Sequence, residues 1–193
     1  MSIAAEPRRY TPDDLLTMPD GDRYELVEGE LVDRDTSMES SWIAGEIAGR
    51  IRDFIRDKRL GWVFPEGTSY PCFPDDPRRV RKPDVSYFTA QRLPNGPLPE
   101  GHCPLAPDLP VEVVSPNDLF YEVDIKVEEW LKVGVRIVWV VIPATRKVSI
   151  YRQGTPSPTT LQLGDHLDGE EVLPGFRCAV KDLFPQTPAT SAS

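Results

Sequence analysis

Two short segments constrain this chain more than any other feature. Arg81-Lys82-Pro83-Asp84-Val85 and Pro110-Val111-Glu112-Val113-Val114-Ser115-Pro116 each place one acid inside a run that otherwise reads as a buried strand. A carboxylate in a buried strand is costly unless its charge is compensated. Two such carboxylates meeting in space, with a lysine nearby, would make a hard-cation site suited to cutting phosphodiesters.

The elements around them follow from periodicity and punctuation. Thr11-Pro12-Asp13-Asp14 is a helix start that ends near Met18-Pro19. Tyr24–Val27 and Glu30–Val32 flank Glu28-Gly29, a hairpin signal. Ile43, Ile47, Ile51, Phe54 and Ile55 give an amphipathic helix over Glu39–Lys58. Short strands are expected at Trp62–Phe64 and Ser69-Tyr70, and Val80–Phe88 reads as a strand carrying Asp84. Thr89–Asp108 is a Pro/Gly-rich loop, long enough to suggest function. Leu109–Val114 is the strand carrying Glu112, Leu119–Val133 a helix closed by Gly134, and Arg136–Ile142 a central strand paired with Lys147–Arg152. Thr159–Leu173 adds one or two strands, and Val180–Phe184 packs the end. With 21 prolines in 193 residues, stiff loops and few long helices are expected. The order predicts an α/β (α+β) fold: a mixed central sheet flanked by helices, with an N-terminal β-hairpin.

Alternation puts Glu112 on the strand face opposite Leu109, Val111 and Val113. On the following helix, Lys126 falls at the edge of the apolar arc and Lys132 on the water side, so Lys126 is the lysine able to lean over the sheet. Glu25 is either an accessory site acid or an exposed strand residue. The net charge of −9 argues against a general nucleic-acid coat. The dense basic cluster is Arg78, Arg79, Arg81 and Lys82, either a solvated loop or a local phosphate-steering stripe. Cys72, Cys103 and Cys178 form no CxxC pair, which fits reduced thiols in a cytoplasmic protein. A hydrolase using Cys103 or His102 lacks partner residues of the right types. No apolar run approaches a membrane span.

The ordered series Tyr24–Leu31, Arg81–Val85, Pro107–Pro116, Lys126–Leu131 and Gly134–Val141 resembles the Uma-two family of bacterial restriction-endonuclease-like proteins, placed in the PD-(D/E)XK nuclease superfamily. The resemblance runs from about Tyr10 to Phe184. It implies a single endonuclease-like domain over 10–184; outside it, the polar 1–9 reads as a flexible N-terminus and 185–193, low in bulky residues, as a disordered tail. It also implies a site for Mg2+ or Mn2+ in which Asp84, Glu112 and the Val113 carbonyl hold the ion. The superfamily's usual lysine position is Val114 here, and Lys126 resembles the lysine of branches that carry it on the following helix. Glu25 would support the ion, and Arg79, Arg81 and Lys82 would contact phosphates. The substrate would be nucleic acid, DNA before RNA, with a homodimer expected by analogy. The alternative is a catalytically inactive dimeric interaction module that keeps the nuclease fold.

Overall fold

Residues 8–34, 36–93, 98 and 100–186 are described by the structure, a computed structural model. The expected flexible N-terminus and disordered tail lie outside the described residues, apart from positions 8–9 and 185–186. So do parts of the 89–108 loop.

Helix α1 (Pro12–Thr17) starts where proline at the first helical position predicts, and the Asp14 carboxylate accepts the Thr11 N–H at 2.8 Å. Strands β1 (Tyr24–Val27) and β2 (Glu30–Asp33) form the hairpin. Its two-residue turn has positive φ at both Glu28 (53°) and Gly29 (80°), the twist that matches the flanking strands. Helix α2 (Met38–Arg56) is capped by Ser37 and buries Ile43, Ile47, Ile51 and Ile55.

The central sheet has six strands in the order β3-β4-β5-β6-β7-β8, with β3 Gly61–Pro65, β4 Val85–Thr89, β5 Leu109–Val113, β6 Ile137–Ile142, β7 Lys147–Arg152 and β8 Thr159–Leu161. All neighbours are antiparallel except β5 and β6, which are parallel and joined by helix α3 (Phe120–Lys132). Strict alternation sorts the two faces. Val85, Tyr87, Leu109, Val111, Val113, Trp139 and Val141 join the core beneath α2, while Phe88, Val138 and Val140 join the core beneath α3 with Val123, Val127 and Trp130. Because β6 is covered on both faces, it reads as an unbroken apolar run.

Two expectations change. Val80–Phe88 is not one strand. Val80 and Arg81 make isolated bridges to Leu26 and Tyr70, Pro83 offers no N–H to a ladder, and Asp84 stands at a bend before β4 begins at Val85. A further pair, β9 (His166–Asp168) with β10 (Arg177–Ala179), closes the far side, and β10 is missed by the sequence pattern because it is only three residues long.

Candidate active site

The β4–β5 register brings the two acids together. Val85 pairs with Val111 and Ser86 with Pro110, so one further step sets Asp84 opposite Glu112. Like charges facing each other across adjacent strands repel. Both acids line a cavity of about 330 Å³ together with Val113, Arg34, Lys126 and Tyr121.

Each carboxylate is oriented by the fold. Asp84 Oδ2 accepts the Val113 N–H at 2.6 Å, and its Oδ1 lies 3.3 Å from Arg34 Nη2. Glu112 Oε1 accepts the Trp130 indole N–H at 3.0 Å, and its Oε2 lies 3.9 Å from Lys126 Nζ. Burial pushes the Glu112 carboxyl up to about 7; Lys126 opposes this, and Asp84 and Glu25 add to it. Burial likewise raises Asp84 to about 6, against the pull of the Val113 N–H, Arg34 and Lys126. Burial thus disfavours the charged form of both acids, in spite of Arg34 and Lys126.

Lys126 stands where the helical wheel predicts, leaning from α3 over the sheet. Burial works against its charge, but Glu25 and Glu112 raise its pKa on balance. Its ammonium sits 3.2 Å from Glu25 Oε2. Glu25 is 1% exposed and does not line the cavity. Its Oε1 accepts the Lys82 N–H at 2.7 Å, and its Oε2 also accepts from Arg81 Nη1 at 2.9 Å. Burial would raise Glu25, but Lys126, Arg81 and that backbone N–H outweigh it and hold the acid at about 2. Glu25 is a buried anchor for Lys126, neither an exposed strand residue nor a free ligand.

The expected phosphate contacts are corrected. Arg81 is 4% exposed, and its guanidinium grips Glu129 through Nε–Oε2 at 2.6 Å and Nη2–Oε1 at 3.0 Å while also holding Glu25. Lys82 is 3% exposed, and its ammonium donates to the carbonyls of Gly21 and Asp22 at 2.9 and 3.0 Å. Arg79 pairs with Glu129 at 3.2 Å and Asp76 at 3.4 Å. A cluster that looks free in one dimension is consumed by internal partners, because the segment passes behind the hairpin and against α3. Arg81 and Lys82 still line the cavity beside Arg34 and Lys126, but their cationic ends are held by Glu25, Glu129 and the Gly21 and Asp22 carbonyls.

Sequence reasoning misses Arg34 and Glu129. Glu129 leaves a signal: it lies three residues after Lys126, at a spacing that makes the two neighbours on the surface of α3. Arg34 leaves none, since its place at Asp84 depends on how the hairpin docks. The Ser40 hydroxyl, at the start of α2, lies 3.0 Å from that of Ser115 at the cavity wall. His102 is a tie between segments: its Nε2–H donates to the Pro12 carbonyl at 2.7 Å, so Nδ1 accepts from the Ser69 hydroxyl at 2.6 Å. Burial raises the Cys103 thiol, which disfavours a thiolate nucleophile.

Among the described residues no group of three or more Asp, Glu, His or Cys side chains could hold a metal. The candidate donors expected from the sequence, the Asp84 and Glu112 carboxylates and the Val113 carbonyl, are all hard oxygens from cavity-lining residues. That set suits Mg2+ or Mn2+, which bind through one or two carboxylates and keep several waters. A cation between the two acids would favour the ionised form that burial disfavours. No helix among the described residues is long and apolar enough to cross a membrane.

The family model Uma2, described as "Putative restriction endonuclease", matches residues 12–181. The structure is similar to the 1.96 Å crystal structure of a protein from Anabaena variabilis ATCC 29413, described as a putative nuclease belonging to DUF820. The TM-score is 0.78 at 23% identity, covering 90% of this chain and 97% of that one, a likeness of fold. A comparison with curated proteins finds no significant match.

Proposed function

This chain belongs to the Uma2 family, and we propose that it is a divalent-metal-dependent endonuclease that hydrolyses nucleic-acid phosphodiesters. The observation that carries the proposal is the Asp84–Glu112 pair, set opposite by strand register in a cavity that Lys126 overhangs. Asp84, Glu112 and the Val113 carbonyl would hold Mg2+ or Mn2+, which supplies a water of lowered pKa and neutralises phosphate charge.

The chain's own residues do the positioning. The Val113 N–H fixes one oxygen of Asp84, and the Trp130 indole fixes one of Glu112. Lys126 carries its charge into the cavity, where it orients the attacking water and stabilises charge developing on the phosphate. Glu25, itself held by Arg81 and the Lys82 N–H, keeps that ammonium in place. Arg81, gripping Glu129 on α3 and Glu25 on the hairpin, ties together the two elements that supply Lys126 and Glu25.

The test is conversion of plasmid DNA to nicked or linear forms at low salt with Mg2+ or Mn2+. Cleavage is expected from the wild-type protein and not from Glu112→Ala. Cleavage that survives this substitution places the activity elsewhere. A folded protein that neither cleaves nor binds millimolar Mn2+ supports the inactive interaction module instead.

A further inference from the structure

Resting on the metal-site reading above, we propose that Arg34 is a positioning residue that surrenders Asp84 to the divalent cation and stays tethered at the cavity through Glu66. The side chain is 9% exposed and bridges two acids, with Nη2 3.3 Å from Asp84 Oδ1 and Nη1 3.2 Å from Glu66 Oε1. The second oxygen of Asp84 is already engaged by the Val113 N–H. The Asp84 oxygen without a backbone partner is therefore the one that Arg34 occupies.

A small divalent cation sits roughly 2.0–2.2 Å from a carboxylate oxygen. A guanidinium on that same oxygen would place two positive charges a few ångströms apart in a poorly screened cavity, where they repel strongly. One must leave. The fork of the guanidinium makes departure from Asp84 possible without loss of every partner. Glu66 lies just beyond β3, is itself 39% exposed, and accepts from the Thr36 hydroxyl at 3.2 Å, so the guanidinium has a second acid to keep. Lys126 does not compete in the same way, because its nearest acid is Glu25, away from Asp84. The two cations thus have different duties: Lys126 is permanent, and Arg34 is the counter-charge that the ion replaces. Released from Asp84, the guanidinium still faces the cavity, where a substrate phosphate is the natural new partner.

The experiment is Mn2+ binding by titration calorimetry, with free Mn2+ checked by electron paramagnetic resonance, on wild type, Arg34→Gln and Asp84→Asn. Arg34→Gln is expected to bind Mn2+ at least about tenfold more tightly than wild type, and Asp84→Asn to lose binding. A merely structural arginine would leave affinity unchanged or lower it, and that result overturns the proposal while the metal site stands. Binding by none of the three overturns both the proposal and the metal-site reading. Should Arg34→Gln not fold, a crystal of the wild type grown with Mn2+ decides. Arg34 is expected off Asp84 and still on Glu66; Arg34 remaining on Asp84 beside a bound ion refutes the proposal.

Discussion

Replacing Glu112 with glutamine should make the metal-free protein more stable, by an amount that grows with pH. Glu112 is 7% exposed at its side chain, and its carboxyl is pushed from an ordinary 4.5 up to about 7, chiefly by burial, with Lys126 opposing and Asp84 and Glu25 adding. The folded state therefore holds this proton more tightly than the unfolded chain does. Stability contributed by the protonated form is full below 4.5 and is lost as pH rises toward about 7. The gap corresponds to about 3 kcal/mol. Glutamine keeps the shape and an acceptor for the Trp130 N–H, and Lys126 retains Glu25. Glu112→Gln should match the wild type near pH 4 and exceed it by about 3 kcal/mol at pH 8 in EDTA, roughly 6–12 °C in Tm for a chain of this size. Thermal and urea unfolding across pH 4–8 would measure it. Added Mn2+ should stabilise the wild type and leave Glu112→Gln unmoved. A destabilised variant, or an offset independent of pH, would refute the reasoning that the charged acid is held at a cost for the sake of a ligand.

The remaining predictions concern the same network. Asp84 and Glu112, raised to about 6 and about 7, must both lose protons to bind a cation, so Mn2+ affinity should rise with pH between 5 and 8 with proton release visible by calorimetry in buffers of different ionisation enthalpy. Lys126→Met should abolish cleavage while retaining Mn2+ binding, because the ammonium serves the reaction and not the ion. Glu129→Ala leaves the buried Arg81 guanidinium without its two-pronged partner and should cost about 3–5 kcal/mol in urea unfolding. Glu25, held at about 2, contributes stability that is present above its ordinary 4.5 and lost as pH falls toward 2. Glu25→Gln should accordingly flatten the acid limb of the stability profile.

Much of the fold was legible because its signals are local. The Glu28-Gly29 turn, the Thr11 helix start and the isoleucine stripe of α2 depend on near neighbours, and alternation in β5 and β6 records which faces are covered. Asp84, Glu112 and Lys126 stand out because charge in an apolar setting breaks a pattern. The ion-pair network was not legible. Arg81 and Glu129 are 48 residues apart, and Arg34 and Asp84 are 50 apart, so their pairing follows only from how the hairpin docks. The same docking buries Arg81 and Lys82, and no run of one-letter codes distinguishes a basic stripe facing solvent from one facing glutamates.

The most direct test is the anomalous diffraction map of a crystal grown with Mn2+ above pH 7, where both acids are ionised. A single peak within coordination distance of Asp84 Oδ1 and a Glu112 oxygen, roughly 2.0–2.3 Å away, is the expected result. A map with no peak between these carboxylates in an intact fold, or with Mn2+ bound only elsewhere, would contradict it.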